Sequence, residues 1–261
     1  MCGKKRGYIV AKRQVQTDMT AGNPAGIILN FTIPLFIGNL FQQFYSMADT
    51  VIVGKFVGTK ALAAVGSVGT IMFLILGFLQ GLTAGFTVLT AQRFGAGDMM
   101  RKTVGTAAVL SGISVVVMTA GSMLFMKPLL TFMHTPKDIF QDAYTYIMII
   151  CAGIIATVLY NLLSSILRAL GDSKTPLYFL ILSACLNIGL DLLLIIVFDM
   201  GAAGAAYATV IAQGVSGVGC LFYIWKKVPL LKLEKEDFRP EGYLAKMQLS
   251  VGLPMALQYS I

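Results

Sequence analysis

The chain has 261 residues, of which 57% are hydrophobic and 12% charged, whereas a soluble domain carries about 25% charged residues. With a mean hydropathy of +0.79 it lacks the polar surface to coat itself in water, so lipid must be part of its solvent. The net charge of +8 comes from Lys and Arg in short clusters between apolar runs, without aromatic interleaving. That pattern orients membrane helices and argues against a nucleic-acid partner. Cys2, Cys151, Cys185 and Cys220 are scattered with no CxxC spacing, so neither a disulfide framework nor a metal site is expected. The basic N-terminus is not followed by a short apolar stretch and a small-residue cleavage site, so no cleaved signal peptide is expected.

Residues 1–24 are polar and basic and read as a cytoplasmic N-terminal segment. Residues 25–225 read as a six-helix transmembrane lobe, at roughly 20 apolar residues per span. The apolar runs cover Ala25 to Val53 (interrupted by Pro34), Ala61 to Ala91, Val104 to Met126, Ala143 to Leu167, Leu177 to Phe198 and Ala202 to Trp225. Residues 226–246 are dense in both charge signs and read as a cytoplasmic connecting loop with a short amphipathic helix. Residues 247–261 begin a seventh apolar segment. At 1.5 Å per residue it reaches about 22 Å, short of a hydrocarbon core of about 30 Å, and it reads as the truncated start of helix seven. With the N-terminus inside, sixteen of the 20 Lys and Arg fall in inner segments and four in outer ones, which predicts a multi-pass protein with a cytoplasmic N-terminus. The small-residue steps Gly77/Gly81/Gly85 and Gly201 to Ala206 indicate close helix packing.

Of twelve Asp and Glu residues, Asp49 and Asp191 alone fall well inside apolar runs. An ionisable group at that depth costs roughly 2.5–3.5 kcal/mol on insertion scales, so it is a functional candidate by default. A carboxylate hydrated near the interface is the blander alternative for either. Gln42, Tyr45 and Asp49 share one stripe of the first helix, and Asn187 and Asp191 lie one turn apart on the fifth. Thr209 places a hydroxyl at depth in the sixth. These oxygens suit Na⁺ or a proton, and the three helices place no Lys or Arg beside the acids. Pro34, about four turns before Asp49, is either a static kink or a hinge. Tyr144 and Tyr146 lie near enough to the end of their span to serve as interfacial anchors, whereas Asn161 is too deep for that, and Tyr160 adds a further polar ring. His134 reads as a loop histidine. No nucleophile–base pair, Gly-rich phosphate loop or metal-ligand cluster appears, so an enzyme is not expected.

Several segments, in order, resemble the multidrug and toxic compound extrusion (MATE) family, in its prokaryotic DNA-damage-inducible-type branch. They are Met19 to Pro24 with Ile33-Pro34-Leu35, Gln42 to Gly54, Ala61 to Gly66, Gln92 to Asp98, Ile166 to Asp172, Leu186 to Asp191 and Gly204 to Thr209. The resemblance implies an all-α integral membrane fold of twelve helices in two six-helix lobes, of which this chain would be the N-terminal lobe plus the start of helix seven. Val251 to Pro254 would echo Thr32 to Leu35. It implies a cation-coupling set at Asp49, Asn187, Asp191 and Thr209, with Na⁺ or H⁺ as the coupling ion and no cofactor. Gln42, Tyr45, Tyr146 and Asn161 become substrate-cavity candidates. The implied activity is antiport: cation entry drives export of organic, often cationic, drugs or metabolites across the cytoplasmic (inner) membrane. Its implied partners are small organic substrates, membrane lipid and the missing C-terminal lobe. One lobe alone is not expected to transport. A related lipid-linked oligosaccharide flippase or polysaccharide exporter is the near alternative, and a non-transporting membrane sensor or assembly subunit the distant one.

Overall fold

The computed structural model describes residues 23–97 and 99–261, and these form helices joined by short turns. Lys4, Lys5, Arg6, Lys12 and Arg13, the segment Met19 to Gly22 and Asp98 lie outside the described residues. Helix α1 (Pro24–Ile52) starts on two local signals, since the Asn23 side chain accepts from the Ala25 N–H at 3.1 Å and Pro24 occupies the first turn. It continues without a break through Pro34 and ends in a π-helical turn, Val53–Val57. Gly58 then reverses the chain at φ +107, a conformation that strains any residue with a Cβ. Helices α2 (Thr59–Ala96) and α3 (Met100–Phe132) follow, longer at both ends than the apolar runs that announce them.

The expected fourth span, Ala143 to Leu167, is not one rod. It is two helices, α4 (Lys137–Ala152) and α5 (Ile154–Ala169), bent by 46° at Gly153. At the bend Val210 crosses so close that a Cβ on Gly153 would lie 2.7 Å from its Cγ1, so only glycine fits there. Helix α6 (Lys174–Asp191) is capped by Asp172, whose Oδ1 accepts from the N–H groups of Lys174 (3.1 Å) and Thr175 (3.0 Å). Like α1, it runs on into a π-helical turn, Leu192–Val197. Helix α7 (Gly201–Lys227) completes the set. Among the described residues, five unbroken helices and the bent α4–α5 pair are thus long and apolar enough to cross a bilayer, in agreement with six spans.

The buried apolar side chains form two clusters at opposite ends of the bundle. One joins the first half of α2 to α4 and the start of α7 around Ile147 and Ile154. The other joins the second half of α2 to α5 and the end of α7 around Phe86 and Leu167. Helix α2 belongs to both, whereas α1 buries only Pro34, Gly38 and Ile52 and leans mainly on α6. The outward apolar side chains, such as Phe36, Phe44, Val116 and Phe125, are what a lipid-facing surface requires.

The connecting loop departs from expectation. In place of a short amphipathic helix, Pro229 and Pro240 bracket two 3₁₀ turns, Pro229–Leu231 and Lys235–Phe238, the latter closed by a capping box between Glu234 and Asp237. The loop is held on the start of α3 by ion pairs Arg101–Glu234 (3.4 Å) and Lys102–Glu241, and Gly105 leaves room for the backbone of Asp237. The last helix, α8 (Gly242–Tyr259), begins five residues before Met247 because its first turn docks on α3, with Leu244 fully buried.

Gly77, Gly81 and Gly85 turn out to have a specific partner. They form the face of α2 on which α8 lies. A Cβ on Gly85 would sit 2.5 Å from Gly252 Cα, and one on Gly81 2.7 Å from Ala256 Cα. Beside this seam the fully buried Gln248 donates to the carbonyls of Thr103 (2.9 Å) and Phe86 (3.4 Å), so α8 is tied to both α2 and α3. Adding one methyl at Gly81 is therefore expected to overpack backbone against backbone and cost about 1–3 kcal/mol. Gly66→Ala, with nothing within 4 Å, should be neutral or slightly stabilising. Thermal unfolding of the two variants in detergent checks this, and equal midpoints would contradict it.

Candidate functional site

The site begins with the helix faces that converge inside the lobe. On α1 the stripe Gln42, Tyr45 and Asp49 points at α6 and α7, and Pro34 and Gly38 continue that wall. Gly38 allows the approach of α6, whose Leu177 and Leu180 lie 3.7 and 3.5 Å from where its Cβ would be. The opposite walls are Gly69, Met72 and Gln80 of α2, Tyr146 of α4, Tyr160 and Asn161 of α5, and Thr209 and Gln213 of α7. Together they enclose a cavity of about 550 Å³. From Pro34 to Thr50 it follows sixteen residues of α1, about 24 Å of helix.

At one end of this cavity the predicted cation set comes together. The Tyr45 hydroxyl donates to Thr209 Oγ1 at 3.4 Å. The Asn187 amide, in the orientation that satisfies both neighbours, donates to Asp191 Oδ2 at 2.9 Å and accepts from the Thr209 N–H and hydroxyl, each at 3.3 Å. Asn187 and Asp191 are fully buried. Asp49 on α1 stands close enough to Asp191 for the two carboxyl groups to interact. One oxygen of each acid, Oδ1 of Asp49 and Oδ1 of Asp191, is buried without any partner.

That arrangement has a chemical consequence. Two carboxylates side by side in a medium of low dielectric repel each other, and no Lys or Arg among the described residues pairs with either. The pair is stable only with a proton shared between the acids or a cation beside them. The oxygens around it are those of the two carboxyls and the Thr209 and Tyr45 hydroxyls, while Asn187 turns its N–H to Asp191 and its own oxygen to Thr209. Such a set suits a hard cation such as Na⁺. Asp191 sits directly before a π-helical turn and Asp49 one helical turn before another, and the turns Val53–Val57 and Leu192–Val197 touch one another. Widened turns of this kind recur at functional positions because they free backbone groups and re-aim side chains.

All the sequence-predicted residues are therefore in one place. Asp49, Thr209, Gln42, Tyr45, Tyr146, Asn161 and Pro34 line the cavity, and Asn187 and Asp191 stand behind Thr209. Tyr146 is not an interfacial anchor, because its ring is buried against the cavity. Gln80, Gln213, Asn39 and Arg168 line it too and escaped the sequence reading. Gln213 was within reach of pattern alone, one helical turn from Thr209 on the same face. His134 lies in the turn between α3 and α4, away from the cavity, as expected of a loop histidine.

The chain is similar to known proteins in sequence and in fold. The family model MatE matches residues 34–193. Among curated proteins, the "Probable multidrug resistance protein YpnP" of Bacillus subtilis is 35% identical over 243 residues, covering 91% of this chain and 54% of that protein. Two solved structures described as a MATE protein "in the bent conformation" and "in the straight conformation" superpose with TM-scores of 0.83 and 0.85 at 30% and 29% identity. They cover 90% and 93% of this chain, and 53% and 55% of theirs. The chain spans about half the length of the curated relatives it matches.

Proposed function

The chain belongs to the MatE family of multi-pass membrane transporters, and on that premise we propose that the protein is a cation-coupled antiporter. It exports organic, often cationic, compounds across the cytoplasmic membrane, with its N-terminus on the cytoplasmic side. Asp49, Asn187, Asp191 and Thr209 take up the coupling ion, Na⁺ or H⁺. Gln42, Tyr45, Tyr146 and Asn161 form the wall against which the substrate lies.

One observation carries this reading: Asp49 lines a polar and aromatic cavity, Asp191 lies buried behind it, and each keeps one buried oxygen without a partner. A proton or cation entering the pair changes the charge and hydrogen bonding of Asp49, and so of the wall that a cationic substrate would meet. Ion and substrate then compete for the same negative charge, which is the thermodynamic requirement for exchange of one against the other. Relatives named as multidrug resistance proteins support the substrate class.

Pro34 gives the exchange a mechanical element. It removes one backbone hydrogen bond from α1 about four turns before Asp49, in a helix that is only lightly packed. Solved neighbours described as bent and straight support two states of this lobe. In this mechanism the load on Asp49 sets the curvature of α1, and with it the width of the cavity.

In the protein expressed at its natural length, Asp191→Asn is expected to abolish drug resistance in cells and substrate-driven Na⁺ or H⁺ flux in vesicles, while membrane insertion is unchanged. Full resistance in that variant would make Asp191 a structural residue. Pro34→Ala should lower turnover by more than it changes substrate affinity. Turnover equal to the wild type would leave the proline as a static kink.

A further inference from the structure

The cavity has a second pole, opposite in charge to the acid pair. Its lining at that end is Arg168 of α5, Ser173 before α6, Pro176 and Tyr160. Tyr160 ties the two helices there, its hydroxyl donating to the Pro176 carbonyl at 3.1 Å. Along α6, Pro176 and Asp191 are fifteen residues apart, or about 22 Å of helix. Arg168 and Asp49, with Asp191 behind it, therefore lie at the two ends of one cavity.

Arg168 uses little of its bonding capacity on the protein. Its Nη2 donates to Ser165 Oγ at 3.1 Å, one turn back towards Asn161, so the guanidinium is turned into the lobe. A guanidinium has five N–H donors in a planar fork, and that fork matches a carboxylate or phosphate. Among the described residues no carboxylate oxygen pairs with it. The nearest acid in sequence, Asp172, spends Oδ1 on the N–H groups of Lys174 and Thr175. The start of α6 at Ser173 adds the positive end of a helix dipole to the same wall. A half-buried cation left in this state lacks the counter-charge that stabilises such groups elsewhere.

We propose that Arg168 is an anion-recognising subsite of this cavity, so that its ligands include zwitterionic or anionic amphiphilic molecules whose carboxylate or phosphate docks on the guanidinium. The inference rests on the exporter reading of the same cavity and extends its substrate class beyond organic cations. The body of the ligand lies along Asn161, Tyr146 and Tyr45, and any cationic group points towards Asp49. The anion is supplied either by the substrate or by a lipid headgroup entering beside α1.

The test uses the protein at its natural length in phosphatidylcholine nanodiscs, with rhodamine B, which has a free benzoate, and its methyl ester, which has none. The ratio of ester Kd to acid Kd is expected to exceed one in the wild type and to fall about tenfold in Arg168→Gln, the worth of one charge-assisted hydrogen bond. Arg168→Lys should retain most of the preference. Should Arg168→Gln fail to fold, wild-type protein decides: sulfate should displace the acid but not the ester, against chloride at equal ionic strength. Adding phosphatidylglycerol to the disc distinguishes the sources. Selective loss of acid binding identifies a lipid headgroup as the competing anion, and unchanged binding identifies the substrate's own group. An acid-to-ester preference that Arg168→Gln leaves intact, or no displacement by sulfate, overturns the subsite. The exporter reading survives that result if the ester still binds and Asp191→Asn still loses export. Failure of the wild type to bind either dye would count against both.

Discussion

Asp49 on α1 and Asp191 on α6 bring two carboxyl groups together inside an apolar bundle, and much of the lobe is arranged around the cost of that contact. Among the described residues neither acid has a basic residue to neutralise it, and each keeps one oxygen without a partner. Asn187 and Thr209 satisfy part of the demand from one side. The remainder has to come from a proton or a cation, which makes occupancy of the pair a term in the stability of the α1–α6 contact. Because α1 buries so few of its residues elsewhere, that contact has an unusual share in holding the helix. In the proposed mechanism a change of load at Asp49 moves α1 without disturbing the cores around Ile147 and Phe86.

Helix α2 supplies the opposite property. It runs through both apolar clusters, lines the cavity with Gln80 and Met72, and offers its glycine face to α8. Backbone contacts at Gly81 and Gly85 with Ala256 and Gly252 leave no slack for sliding, and Gln248 fixes the seam to two carbonyls. The ion pairs from α3 to Glu234 and Glu241 hold the connecting loop against the same end. The lobe thus combines a rigid spine with one loosely held helix. That is the division expected where a small chemical event has to be converted into a discrete movement.

The membrane class and the acid pair were legible in the sequence for a simple reason. A charged residue is rare in an apolar run, so Asp49 and Asp191 stand out, and helical spacing then draws in Gln42, Tyr45 and Asn187. What was not legible depends on neighbours. Gly153 looks like any other glycine in a span, and the neighbour that requires a glycine there, Val210, is 57 residues away in sequence. Gly77, Gly81 and Gly85 announce close packing but not α8 as its object. The π-helical turns after each acid leave no compositional trace. Arg168 was counted among the charges that orient the protein, and such a count cannot tell a side chain reaching for water from one turned into a cavity. Sequence position alone leaves Tyr146 open between an interfacial anchor and a cavity wall, since distance from the end of a span says nothing about the direction of its ring.

The most direct test of the central claim is infrared difference spectroscopy on the protein at its natural length in lipid, read at the carbonyl stretch of protonated carboxylic acids. In Na⁺-free acidic buffer the pair should hold a proton, and adding Na⁺ or raising the pH should remove that band. The band should be lost or displaced in both Asp49→Asn and Asp191→Asn. A wild-type spectrum indifferent to both Na⁺ and pH, or a band that survives unchanged in both variants, would contradict the account.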